Sequence, residues 1–167
     1  KIVNKNIQNI HYLKNIENIY FYDIKSNVHH LDQINFMNIK ELVIPADRHI
    51  DNTHLQYMPN LHKLILDKNN KISDHGLCFI PKLKYLSLNR NTLITDQGLE
   101  YIIGITHLFL EINTNITKNG ITLLQNVTML DLRYNPNVTH DIVYKLPNIE
   151  YVILNKDRKS TRLNSSH

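Results

Sequence analysis

Ten histidines and a single cysteine, Cys78, are the residues of this chain best suited to metal binding or nucleophilic chemistry. A zinc site needs imidazole, thiolate or carboxylate ligands at short spacings that let them converge. His29-His30, His49, His54, His62, His75, His107 and His140 show no such two-His-plus-carboxylate spacing and read as surface histidines. Cys78 follows Leu77 in an apolar stretch and reads as a small buried hydrophobe rather than a nucleophile. No phosphate-cradling Gly loop, nucleophile elbow or paired carboxylates stand out. The chain is therefore not expected to be an enzyme, and no metal or cofactor is implied. Asn115, Asn126, Asn137 and Asn164 begin Asn-x-Ser/Thr triplets, which accept glycans in secreted proteins. An Asn-rich chain contains such triplets by chance, and Ile116 and Val138 beside them fall at apolar places of the pattern described next.

Binding chemistry is better represented. Tyr85, His107 and Met129 recur at one equal interval, and Phe109, Glu111, Asp131 and Arg133 follow them at steps of two. Successive side chains of a strand alternate between two faces, so steps of two keep side chains on one face. If strands separated by that interval lie side by side, these residues form one exposed aromatic and apolar cluster flanked by charges. Such a composition suits a protein-binding hot spot. A flanking domain or further repeats covering the cluster is the other reading.

The elements that would position this cluster recur along the whole chain, a signature tested before any other. The leading apolar residue of each unit falls at Ile16, Ile39, Leu61, Leu83, Ile105, Val127 and Ile149. The fourth place holds Ile19, Leu42, Leu64, Leu86, Leu108, Leu130 and Val152, and the sixth Phe21, Ile44, Leu66, Leu88, Leu110, Leu132 and Leu154. Apolar residues at places four and six, with mixed residues at three, five and seven, predict a short strand with one buried face. Asn69, Asn91, Asn113 and Asn135 follow three residues past each strand, with Asp47 in the equivalent place one unit earlier. Their carboxamides are expected to satisfy backbone groups left open at the turn. ISDHGLCFI and ITDQGLEYI place apolar residues three apart behind Ser or Thr, which predicts a helix of one to two turns capped by the hydroxyl. Pro59, Pro81 and Pro147 stop it at the next boundary.

LHKLILDKN, LKYLSLNRN, ITHLFLEIN and VTMLDLRYN resemble the leucine-rich repeat, LxxLxLxxN. The resemblance implies an α/β solenoid of horseshoe form, with a parallel concave β-sheet and short convex helices. It covers residues 1–156 in about seven units of 22–23 residues, cut at the N-terminal side because Ile10 and Leu13 align with Leu77 and Ile80. One unit cannot bury both of its apolar faces alone, so stability must come from stacking. The trailing Ile-Ser/Thr-Asp-x-Gly-Leu element is similar to repeats behind F-box domains, an element that bacterial surface repeats share. The heavy use of Asn, Ile, Lys and Tyr resembles F-box and leucine-rich-repeat proteins of giant amoeba-infecting DNA viruses.

Charge and composition narrow the partners. The net charge is +4 and the pI about 9.1. Residues 157–167 carry +2 of that, leaving 16 basic and 14 acidic residues in the body, so a nucleic-acid stripe is not expected. The lone cysteine forbids an intramolecular disulfide and favours a reducing, cytoplasmic setting, host cytoplasm if the protein is viral. No apolar run is long enough for a membrane span. Residues 157–167, DRKSTRLNSSH, leave the repeat and resemble translated sequencing-adapter read-through, a non-native or disordered tail. The functional expectation is a module binding a protein on its concave face, with substrate recognition for an F-box ubiquitin ligase as one form of it. A stand-alone scaffold, or the repeat arm of a larger enzyme, are the alternatives.

Overall fold

The seven fourth-place residues point one way because their neighbours at places three and five must point the other, and the chain folds around that alternation. In a computed structural model, residues 2–3, 15–20, 36–46, 49–154 and 161–162 are described. Seven three-residue strands occupy places three to five of the units: β2 Asn18–Tyr20, β3 Glu41–Val43, β4 Lys63–Ile65, β5 Tyr85–Ser87, β6 His107–Phe109, β7 Met129–Asp131 and β8 Tyr151–Ile153. They pair in parallel and in sequence order with unbroken register, Leu64 against Leu86 and Leu86 against Leu108. The ladder continues past the strands: the sixth-place amides of Leu66, Leu88 and Leu110 donate to Ser87, Phe109 and Asp131 carbonyls of the next unit at 2.9–3.0 Å. The result is the α/β leucine-rich-repeat solenoid.

Behind the sheet lie single-turn helices, α1 Asn52–Leu55, α2 Asp74–Leu77, α3 Asp96–Glu100 and α4 Lys118–Thr122, followed by a 3-10 segment at His140–Lys145. Between the two layers one continuous apolar core runs from Ile16 to Leu154, with Leu64, Leu86, Leu108, Leu77, Leu99 and Ile121 wholly buried. Neighbouring units thus share one core, as obligatory stacking requires.

The helix caps differ in detail from the hydroxyl caps expected. Thr95 and Thr117 do accept from the amides of Gln97 and Asn119 at 3.2 Å. Ser73 makes no side-chain cap, because its hydroxyl instead accepts from Asn52 Nδ2 of the previous unit at 2.8 Å. Thr139 is likewise no side-chain cap, its hydroxyl being donated to Asp141. Asp51 caps α1 with a capping box: its side chain accepts from the Thr53 amide, and its own amide donates to His54 Nδ1 at 3.3 Å.

Where the sequence placed the convex half of a first unit, Ile2–Val3 forms β1, parallel to β2 with Ile2 against Ile19. An open sheet edge offers unpaired backbone groups that any extended segment can satisfy, whichever repeat position its residues hold. At the other edge Thr161–Arg162 forms β9, antiparallel to β8. Ile10, Leu13, Phe21, Tyr22, His29-His30, Asp47, Asn155 and Asn164 lie outside the described residues, as does the rest of segment 157–167.

Five consecutive units leave their strands through a residue of positive φ, between 59° and 66°, at Ala46, Lys68, Arg90, Ile112 and Tyr134. The reversal aims the amide at the next unit: Lys68, Arg90 and Ile112 donate to Asn89, Glu111 and Arg133 carbonyls at 2.7–2.8 Å. For an L-residue this conformation costs about 1–2 kcal/mol, and a β-branched side chain adopts it with most difficulty. Asn tolerates it. Ile112 is only half-buried, so Ile112→Asn is expected to stabilise the fold by about 1 kcal/mol, read as a higher midpoint in thermal denaturation. A lower midpoint would contradict the strain.

Candidate functional site

Three adjacent strands bring the cluster together. Tyr85 of β5 lies opposite His107 of β6, His107 opposite Met129 of β7, and Phe109 opposite Asp131. Tyr85 stacks on His107 with ring centroids 5.5 Å apart and planes at 22°, and leans on Phe109 at 5.2 Å and 32°. Lys63 on β4 sets its ammonium 4.9 Å from the Tyr85 ring centroid, within cation–π range. The Thr106 hydroxyl lies 2.9 Å from His107 Nδ1. Burial first, and the charge of Asp67 second, push the Tyr85 hydroxyl above its ordinary pKa, so it stays protonated at neutral pH.

Not every outward-facing place is free. The fifth column alternates: Tyr20, Ile65, Phe109 and Ile153 remain partly accessible, whereas Val43, Ser87 and Asp131 between them are buried at 4%, 5% and 3% exposure. Asp131 was placed among the partner-binding residues by its register, yet its carboxylate is taken by Arg133. The guanidinium donates from Nε at 3.0 Å and from a terminal nitrogen at 2.8 Å, and the Arg133 amide adds a bond at 3.1 Å. Another bond from Arg133 reaches Glu111 Oε2 at 2.9 Å. Hydrogen bonding to Asp131, against some burial, holds the Arg133 pKa above its already high ordinary value. Asp131 is therefore a support that fixes Arg133, while Arg133 itself is exposed.

The seventh column forms a side-chain ladder that spacing alone did not reveal. Asp67 Oδ1 accepts from the Ser87 hydroxyl at 2.6 Å and the Asn89 amide at 3.0 Å. Asn89 in turn donates to the Ser87 hydroxyl at 3.1 Å and accepts from the Glu111 amide at 2.9 Å. Asp67, Asn89, Glu111 and Arg133 thus link four units into one polar rim beside the rings. Lys63, Asp67, Ser87 and Asn89 lie on the same face as the candidate residues Tyr85, His107, Phe109, Glu111, Met129 and Arg133. The signal for them was present: each occupies place three, five or seven of a unit next to the cluster.

The electrostatics of this face oppose those of the chain. Among described residues at places three, five and seven, Glu41, Asp67, Glu111 and Asp131 stand against Lys63 and Arg133. Four negative and two positive charges give −2 on a chain of +4.

The other candidates lie elsewhere. Cys78 ends α2 half-buried, not in the core, with its thiol donating to the His75 carbonyl at 2.9 Å. Its place at the C-terminal end of a single helical turn leaves it at the rim of the layer. Among the described residues no three His, Cys, Asp or Glu side chains converge on a metal position. Asn115, Asn126 and Asn137 are exposed and donate their amides to Thr92, Ile103 and Thr114 carbonyls of the preceding unit at 2.6–3.2 Å. No helix among the described residues is long and apolar enough to cross a membrane.

Comparison with known proteins agrees with this geometry. The family model described as leucine-rich repeat matches residues 79–102. No curated protein sequence matches the chain. Among solved structures, an internalin (InlF) from Listeria monocytogenes superposes with a TM-score of 0.67 at 17% identity, over 93% of this chain and 52% of the internalin. Internalin C2 (InlC2) of the same organism gives 0.63 at 22% identity, over 87% of this chain and 74% of that one. A TLR13 chain in complex with ssRNA13 gives 0.56 at 18%, over 88% and 24%. The chain therefore spans about half the length of the InlF structure it resembles. The likeness is one of fold.

Proposed function

We propose that this leucine-rich-repeat array binds a protein partner on the open face of its sheet, the side expected to be concave. The observation that carries the reading is the Tyr85, His107 and Phe109 ring cluster, held rigid by strand register and edged by the Asp67-to-Arg133 ladder. Pre-ordered aromatic area costs little entropy to bury, and a satisfied polar rim supplies orientation. The net negative charge of the face disfavours phosphate backbones, which favours a protein over the nucleic acid that the TLR13 complex contains.

Replacing Tyr85 and Phe109 together by Ala is expected to weaken capture of a protein partner by about tenfold or more, the loss of one to two hot-spot side chains. Both are half-exposed, so the melting temperature should move little. The assay is surface capture alongside thermal denaturation of the same variant, and undiminished capture would reject the patch.

The finer form of this reading is substrate recognition for an F-box ubiquitin ligase in the cytoplasm, supported by the ISDHGL and ITDQGL elements. Within the array those elements already have a stacking role: Asp74 and Asp96 hold Thr95 and Thr117 of the next unit. Support for the ligase role must therefore come from co-purification of ligase components with the full-length protein. A stand-alone scaffold would bring down the partner without them.

A further inference from the structure

We propose that the partner presents an extended, basic segment, with two cations three residues apart that pair with Asp67 and Glu111 while an apolar residue rests on Tyr85 and Phe109. This deepens the protein-binding reading and depends on it. The face is net negative on a net positive chain, so its charge complements a basic segment. The face also already holds the chain's own cations in both modes: Lys63 lies over the Tyr85 ring, and Arg133 lies on Glu111.

Room for further cations is specific. Asp67 uses Oδ1 for Ser87 and Asn89, and Glu111 uses Oε2 for Arg133. Among the described residues nothing donates to the second oxygen of either carboxylate. Asn89 between them is committed to Ser87 and to the Glu111 amide. The two carboxylates occupy the same column two strands apart, a separation of about 9–10 Å at the usual strand spacing. A polyproline-type segment rises about 3.1 Å per residue with three residues per turn, which returns a side chain to the same side after about 9.3 Å. A β-strand does so after about 6.7 Å, at two residues. The column therefore matches cations at positions i and i+3 of a polyproline-like segment.

The test titrates the full chain with acetylated, amidated peptides and follows the ring resonances of Tyr85, His107 and Phe109 by NMR. The probes are Arg-Pro-Leu-Arg, Arg-Leu-Arg and Glu-Pro-Leu-Glu. Saturable shifts are expected with Arg-Pro-Leu-Arg, weakened by salt and stronger than with either other peptide. Glu111→Gln with Asp67→Asn, both keeping a hydrogen-bond acceptor, should weaken that peptide about three- to tenfold, the range for two ion pairs at partly exposed carboxylates. Glu111→Gln alone, with a smaller loss, serves if the double variant loses its dispersed spectrum. Equal binding of the acidic peptide, equal affinity of the variants, or no saturable shift overturns the proposal. If peptides bind these rings regardless of charge, the protein-binding reading survives and this inference falls. An RNA oligonucleotide that shifts the same rings with higher affinity overturns both.

Discussion

Asn91→Ala is expected to lower the free energy of unfolding by about 3 kcal/mol, because it strips partners from four backbone groups at once, three of them in buried bonds. The Asn91 amide donates to the Asn69 and Ile72 carbonyls of the preceding unit at 2.8 and 2.7 Å. Its carbonyl accepts from the Leu93 and Ile94 amides at 2.8 and 3.2 Å. The side chain is wholly buried, so water cannot replace these bonds without opening the turn. Two of the bonds cross between units, and coupling between neighbours is what stabilises a solenoid. Asn135 supplies the internal comparison: its amide donates to Leu110 and Arg133 carbonyls, but its buried Oδ1 accepts nothing among the described residues. Asn135→Ala should therefore cost about 1 kcal/mol. Urea denaturation of the two variants checks the ordering. Equal losses would show that the Asn column contributes through its shape rather than its hydrogen bonds.

Gly120→Ala should cost about 3 kcal/mol by overpacking, and the loss should resist rescue. A methyl built on Gly120 would stand 2.3 Å from Asp96 Oδ1 and 2.9 Å from the Asp96 Cα, so the backbone of α3 must shift. At Gly98 the same methyl meets Asp74 Oδ1 at 2.2 Å but the Asp74 Cα only at 3.3 Å. There the carboxylate must move, losing its bonds to the Thr95 amide and hydroxyl at 2.8 and 2.6 Å. Gly98→Ala should cost about 2 kcal/mol, and Asp74→Ala in the same chain should recover part of it by clearing the space. Asp96→Ala should recover less of the Gly120→Ala loss, since the Asp96 Cα remains. Melting curves of the four single and two double variants give both coupling energies. Rescue of equal size at both sites would contradict the backbone contact.

These two predictions show why much of the fold was legible in the residues. Register came from Leu64, Leu86 and Leu108, whose even spacing must repeat if stacked units are to share a core. The Asn column was legible for the same reason, since a recurring buried carboxamide has few other uses. The Gly and Asp of the Ile-Ser/Thr-Asp-x-Gly element were legible as a pattern but not as a mechanism. Gly98 takes an ordinary helical backbone, and its need for a missing side chain arises from Asp74 in the preceding unit.

The candidate site divides along the same line. Tyr85, His107, Phe109, Glu111, Met129 and Arg133 were placed on one face by sequence alone, because strand alternation is a local property of the backbone. The sequence by itself determined the α/β solenoid, its register and its outward columns. Only the tertiary structure decided that Asp131 is covered and spent on Arg133, that Ser87 is buried while Phe109 is half-exposed, and that Asp67, Asn89, Glu111 and Arg133 are linked. The ladder bonds join side chains of adjacent units across one strand spacing, whereas Asp131 and Arg133 meet within one unit, two residues apart on the same face. Asp67 and Glu111 each find a donor in the adjoining unit. Such pairings are set by packing between units, which a repeat pattern read one unit at a time does not contain.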